Sequence, residues 1–437
     1  MKRLKFVLLL LGLLTIFSTA AFAVDVKLSG EYYTAGVYLD KTTLTDDRGS
    51  STAFYFQRLR VQPEFIVAPG LKLVTRFDAM ERAWGATRAA TSTSVAADSA
   101  GTTAENENIA VDWAYINYQS PIGTFDVGMM NDGSTGTVFG NTLSPKPRIK
   151  YAYSMGPLTL KAAYTKAKES SYTAFNTSAN AADADNDKYG IEGVYKWKGG
   201  LAGLNINYYH YAENRPTANS KKTYLLFTPY AIAKIGPVDL QAEFNWATGK
   251  YADYENGTAD VDLKNYSGWI DATATFGSFY CGATFAYVSG DDPNTNDKEG
   301  GTLTGGRDWS PNLIMWNYDR SMWIGELAST ATTGKGFGTS GMDNAFLYQA
   351  RLGVKPIEKL DIMASFTYAK ADEKPANYVS DDYGYELDVT ATYKITNNLT
   401  YMLGAGYLWA GDYFKGTSTA NIVQNDYMVI NKLTLTF

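Results

Sequence analysis

The chain has 437 residues but only one cysteine, Cys281, and one histidine, His210. A lone cysteine excludes an intrachain disulfide framework. No Cys-x-x-Cys-His run occurs, so covalent haem attachment of that type is excluded as well. His210 sits in a tyrosine-rich stretch, "YYHYAE". A lipid hydrolase would need it beside a serine nucleophile, and one histidine at the end of such a stretch is a thin basis for that chemistry. Long apolar runs are also missing. Outside residues 6–17 no stretch approaches the about 20 apolar residues of a helical membrane span. Helix-period segments, expected in a soluble domain of this size, are nearly absent.

The one apolar run has a specific setting. Lys2, Arg3 and Lys5 precede Phe6 to Phe17, and Ala21-Phe22-Ala23 follows as an A-x-A site. This pattern predicts a secretory signal over residues 1–23, removed after Ala23. Removal leaves 414 residues and takes three cations with it, so the net charge moves from −6 to −9.

Tyrosine is abundant at 33 residues, aromatics make up 14% of the chain, and glycines number 40. These residues recur in alternating order. In "YGYELDVTATYKI", Tyr383, Tyr385, Leu387, Val389, Ala391, Tyr393 and Ile395 share one face, and Glu386, Asp388 and Lys394 share the other. In "VDLQAEFNW", Val238, Leu240, Ala242, Phe244 and Trp246 oppose Asp239, Gln241, Glu243 and Asn245. The chain ends on the same theme. Phe437, Leu435, Leu433, Val429 and Tyr427 alternate with Thr436, Thr434, Lys432, Ile430, Met428 and Asp426. Period two means strands with one apolar and one polar face.

A soluble sandwich or a β-helix would bury those apolar faces against each other. Three features favour an all-β transmembrane antiparallel barrel instead. Aromatics gather near strand ends, where a membrane boundary places them. Segments match the about 9–11 residues of a tilted spanning strand. Short connections such as Pro69-Gly70, Gly156-Pro157, Gly236-Pro237 and Gly277-Ser278 alternate with long polar ones at 85–106, 170–187, 290–343 and 411–423. The reading is one barrel domain over 24–437 with about 18 strands, or 16 within the error of boundary placement. Its turns are short and periplasmic, its loops long and extracellular.

On the Ala21-Phe22-Ala23 site, the alternating strands and the segment Tyr427 to Phe437, the chain resembles the outer-membrane porins of Gram-negative bacteria. The count of eighteen is similar to the maltoporin and alginate-export barrels. The resemblance implies that Phe437 and its strand are the signal read by the barrel-assembly machinery. It also implies contact with outer-membrane lipid and lipopolysaccharide, passage of small hydrophilic solutes, and no nucleic acid. Homotrimers occur among such barrels, and the sequence leaves the oligomeric state open. Lys432 stands where that family's terminal signal often carries glycine.

Function in such a barrel lies in the lumen. Alternation turns Arg58, Arg60, Lys72, Arg76, Arg148, Lys150 and Lys161 inward on one wall. It turns Asp239, Glu243, Asp271, Glu386 and Asp388 inward on the opposite wall. Opposed charged walls would create a transverse field that orients solutes. The alternative is that these charges pair locally or simply solvate a wide pore. Two loops are candidate constrictions. By the resemblance, the third long connection, 132–146, would fold inward as an eyelet, with Asn131, Asp132 and Phe139 as its constricting groups. The loop 290–343 is too long for a mere link. In its middle a short helix would place Trp316 and Trp323 on one face, with Trp309 nearby. This loop reads as a plug, a lid, an aromatic platform for sugars, or a cap packed on its neighbours.

No cofactor is expected. The runs Asp183, Asp185, Asp187 and Asp291, Asp292, Asp297 suit calcium by ligand type but lack the glycine and distal glutamate of an EF-hand loop. Cys281 on "FYCGATFAY" is expected to face lipid as a small hydrophobe. The resulting expectation is a non-catalytic porin, a passive channel in the outer membrane. The alternatives are a channel selective for sugars or acidic oligosaccharides, and a structural barrel anchoring other surface components.

Overall fold

A computed structural model of the chain describes residues 24–46, 49–85, 109–170 and 183–437. The signal over 1–23 and most of the connections at 85–106 and 170–187 lie outside the described residues. The strands are β1 (Asp25–Leu39), β2 (Thr52–Ala68), β3 (Leu71–Ala83), β4 (Ala110–Ser120), β5 (Gly123–Asn131) and β6 (Pro145–Met155). They continue with β7 (Leu158–Lys168), β8 (Asn186–Trp197), β9 (Gly200–Tyr211), β10 (Ser220–Ile235), β11 (Val238–Tyr254) and β12 (Val261–Phe276). The last six are β13 (Phe279–Val288), β14 (Ala345–Ile357), β15 (Leu360–Ala371), β16 (Asp382–Lys394), β17 (Leu399–Ala410) and β18 (Asp426–Thr436).

All eighteen form one antiparallel sheet in which each strand pairs with its sequence neighbours. β1 also pairs with β18, from Glu31 opposite Thr436 to Leu39 opposite Met428, which closes the barrel. The terminal residue belongs to this seam: the Phe437 and Gly30 backbones exchange hydrogen bonds of 2.8 and 3.1 Å. Closure leaves no open sheet edge, the condition for placing strands in hydrocarbon, where an unpaired backbone group costs several kcal/mol. Eight connections are tight turns and all lie at one end. The other nine join strands at the opposite end, and those fully described range from the short polar link 255–260 to the long connection 289–344.

The faces follow the alternation. On β16, Tyr385, Leu387 and Val389 are exposed on the outside, while Glu386 is 0% and Asp388 3% exposed inside. On β11, Phe244 and Trp246 face out, and Glu243 and Asn245 are buried within. Cys281 on β13 is exposed between the outward Phe279 and Phe285. Tyr383 departs from its expected outer face. A bulge at the loop end of β16 breaks the register, with Ala369 opposite Gly384 and Lys370 opposite Asp382. Gly384 supplies the positive φ of 111° that this bulge requires. Tyr383 therefore turns inward.

The buried apolar cluster lies inside the barrel rather than between sheets. It joins inward residues of β1, β14, β17 and β18, such as Tyr33, Leu347, Leu408 and Met428, to Trp309, Ile314, Trp323 and Phe337 from the connection between β13 and β14.

Candidate functional site

The β13–β14 connection enters the lumen and is held there by inward carboxylates. The backbone N–H groups of Ile314 and Met315 donate to the two oxygens of Glu386 at 2.6 and 2.7 Å. The Leu313 N–H donates to Asp388 at 3.2 Å. Asn312 accepts from Gln349 (2.9 Å) and Thr367 (2.6 Å) with its side-chain oxygen. Leu313 can come this close because β17 presents glycines inward: a Cβ on Gly406 would stand 3.3 Å from that of Leu313.

Beyond this crossing the loop forms a helix, Tyr318–Ile324, capped by the Asn317 side chain, which accepts from the Arg320 N–H at 2.9 Å. Asp319 reaches Lys432 on β18 at 3.3 Å, and Trp323 stacks on Phe56 of β2 with centroids 4.7 Å apart. The Arg320 guanidinium ties the loop to itself, donating to the carbonyls of Ile314 (2.9 Å), Gly325 (3.0 Å) and Phe337. Burial lowers its pKa to about 10, still cationic at neutral pH.

The shorter loop 132–144 folds in against the opposite wall. Thr137 donates to Glu243 through both its backbone N–H and its hydroxyl, each at 2.9 Å. Phe139 lies parallel to Trp269 of β12 at 6.0 Å and edge-on to Trp309 at 5.2 Å. The two loops also bind each other. The Gly140 N–H donates to the Gly305 carbonyl (2.9 Å), and the N–H groups of Arg307 and Asp308 donate to the Asn141 carbonyl (2.8 and 3.0 Å). Asp308 sits within the fields of Arg60 and Arg76, yet burial raises its carboxyl pKa.

The inward arginines and lysines do not form a uniformly basic wall. Arg60 pairs with Asp78 (2.6 Å), Arg76 with Asp112 (2.7 Å), Lys72 with Glu64 (2.9 Å), and Arg58 with Glu31 (3.5 Å). Arg148 and Lys188 share Asp132 at 3.0 and 2.6 Å, Lys150 meets Asp126 (2.7 Å), and Lys161 meets Glu192 (2.7 Å). The partners come mostly from neighbouring strands, so the charges cancel locally. Opposite, Asp271 pairs with Arg351 (2.6 Å), and Asp239 with Lys234 at the turn end (3.0 Å). Glu243, Glu386 and Asp388 are taken up in holding loops. The transverse field expected from two opposed walls is therefore replaced by adjacent ion pairs.

Other candidates also have different places from those expected. Trp316 precedes the helix, with φ 49°, and packs edge-on to Phe337 and Tyr383, so it does not share a helix face with Trp323. Trp309, Trp316 and Trp323 are all buried in the loop core, which removes them as an exposed sugar platform. Phe139 is fully buried against Trp269 and Trp309 and pins its loop. Asn131 shapes the start of that loop, accepting from the N–H groups of Gly133 and Ser144 at 3.0 Å each. His210 lies 3.9 Å from Asp183. The loop carboxylates are engaged by cations: Asp185 and Asp187 by Lys166, Asp291 by Lys298, Asp297 by Lys264. Among the described residues no group of three or more His, Cys, Asp or Glu could hold a metal ion.

Sequence reasoning missed the landing surface for the long loop. Its signal was present at the loop end of β1, where the inward residues Tyr33, Ala35, Val37 and Leu39 are apolar and buried, whereas Glu31 on the same face is polar. In a barrel with a wet lumen, an apolar inward stretch must meet protein within.

No family model matches the chain, and no curated protein does either. Among solved structures the chain is similar in fold to OpdO of Pseudomonas aeruginosa, with 13% identity over 94% of this chain and 98% of that one, TM-score 0.52. It is likewise similar to the outer membrane protein OpdK of the same organism, with 12% identity over 94% and 99%, TM-score 0.51. The structure of OpdK with vanillate matches to the same extent. At such identities the likeness establishes a shared barrel architecture.

Proposed function

We propose that this chain is a porin of the Gram-negative outer membrane, a non-catalytic channel that passes small hydrophilic solutes by diffusion. The observation that carries the reading is the contrast between the two faces of one closed sheet. Tyrosine, leucine and valine cover the outside, while ion pairs, amides and hydroxyls line the inside. Lipid outside and water inside is the arrangement that satisfies both. The fold of the outer membrane protein OpdK supports the location.

The inward loops favour a narrow, selective channel over a wide sieve. A neighbour of the same fold solved with vanillate is consistent with passage of small organic molecules. On this reading residues 1–23 direct export, and Phe437 with its strand is what the barrel-assembly machinery reads. The outer collar meets lipopolysaccharide, and any association into trimers would use the outward apolar face. Reconstitution into planar bilayers tests the proposal. Discrete ohmic steps are expected, and a protein that inserts but carries no current would point instead to a structural barrel.

A further inference from the structure

Two cavities remain inside the barrel beside the shorter loop. One, of about 200 Å³, lies between loop 132–144, the nearer leg of the long loop and the wall of β8–β12. The other, of about 160 Å³, continues along the wall of β6–β9. They share Thr135 and Asn207. The register orders them along the barrel axis. On β9, which runs from the turn end to the loop end, the first includes Asn207 and Tyr209, and the second Asn205 and Asn207. On β8, running the other way, Lys188 lines the first and Glu192 the second. The second cavity is therefore the next stage toward the short turns.

Their lining joins ion pairs like those on β2 and β3 to a set of amides and hydroxyls. Thr228 donates to the Asn245 carbonyl oxygen at 2.7 Å, and Asn245 in turn donates to Ser267 at 3.2 Å. The Asn207 amide donates to that of Asn205. Amides and hydroxyls offer donors and acceptors together, as a sugar hydroxyl does. Each cation that lines the two cavities has a carboxylate partner. Arg148 and Lys188 share Asp132, Lys150 meets Asp126 behind the lining, and Lys161 meets Glu192. Glu243 is occupied by Thr137. A charged solute would give up its hydration without meeting an unpaired counter-ion, which is costly. An uncharged polyol exchanges water hydrogen bonds for equivalent ones. Together the cavities reach the lower end of the roughly 300–1,000 Å³ usual for small-molecule sites.

We infer that these cavities are successive subsites for an uncharged polyhydroxylated solute of monosaccharide to disaccharide size. The inference rests on the channel reading and goes beyond it in naming the solute class and the path.

The test measures single-channel current in planar bilayers with galactose, galacturonate and galactosamine, which share one ring and differ in charge. Galactose is expected to reduce the current reversibly and at lower concentration than either charged analogue. Asn207→Leu and, separately, Thr228→Val are expected to raise the half-blocking concentration about fivefold, the effect of losing one hydrogen bond, while steps remain. Stronger block by a charged analogue, no block by galactose, or block unchanged in both variants overturns the inference and leaves the channel standing. A barrel that carries no current at all overturns the channel reading with it.

Discussion

Glu386 has no cation within ion-pair distance among the described residues, and the barrel buries it completely. Two loop N–H groups take the place of a counter-ion. Glu386→Ala would strand both, at about 1–3 kcal/mol for each unsatisfied donor. The expected result is larger and noisier single-channel steps, with Glu386→Gln intermediate because one acceptor survives. Steps identical to wild type would mean that this carboxylate does not hold the loop. The arginines of the facing wall act through what they neutralise. Replacing Arg58, Arg60 and Arg76 together with glutamine frees Glu31, Asp78 and Asp112. The reversal potential should then move toward cation selectivity, and no movement would contradict their inward placement. Which face each of these residues takes was legible from alternation alone. Their partners were not, because pairing depends on register, and a shift of one residue reverses every contact.

The long β13–β14 loop is a folded element with its own core rather than a tether. Trp316, Phe337, Tyr383 and Phe414 pack around it, and Arg320 joins its legs. Its sequence announced a buried object through its length and its tryptophans. Where it docks was recorded elsewhere, in inward Met428 and Ile430 and in the inward glycines of β17. A cross-link tests that placement. In a Cys281→Ser background, Leu313→Cys with Gly406→Cys brings the two Cβ atoms to 3.3 Å, within a small adjustment of the about 3.5–4.5 Å of a disulfide. The Asp388 carboxylate lies close to the new Cβ and must shift to admit it. Oxidation should form the bond in the folded barrel, and thiols that stay free would place the loop outside the lumen. The loop should also respond to pH. Burial, reinforced by Glu326, raises the Asp343 pKa to about 6. In an undocked, solvated loop that carboxyl returns to near ~4. Docking therefore favours the protonated form, and this stabilisation is complete below about pH 4 and lost as pH rises through about 6. Protease nicking of the loop should be slower at pH 5 than at pH 7, and Asp343→Asn should remove its share of that difference. Faster nicking at pH 5 would reverse the sign.

At the scale of the whole molecule, the eighteen strands and the alternation of short and long connections could be read directly from period two and from Pro-Gly turns. A barrel in lipid has to obey both rules along its entire length. The loops follow no such rule. Their positions depend on side chains far apart in sequence, such as Thr137 with Glu243 or Ile314 with Glu386. The central claim joins the two: a water-filled barrel whose bore is narrowed by a loop from one end. Single-channel conductance of the intact protein, compared with a form in which residues 309–325 are replaced by a short glycine-serine link, tests it most directly. The account predicts small ohmic steps for the intact chain and steps several-fold larger for the shortened one. Equal conductance in the two, or silence in both, would contradict it.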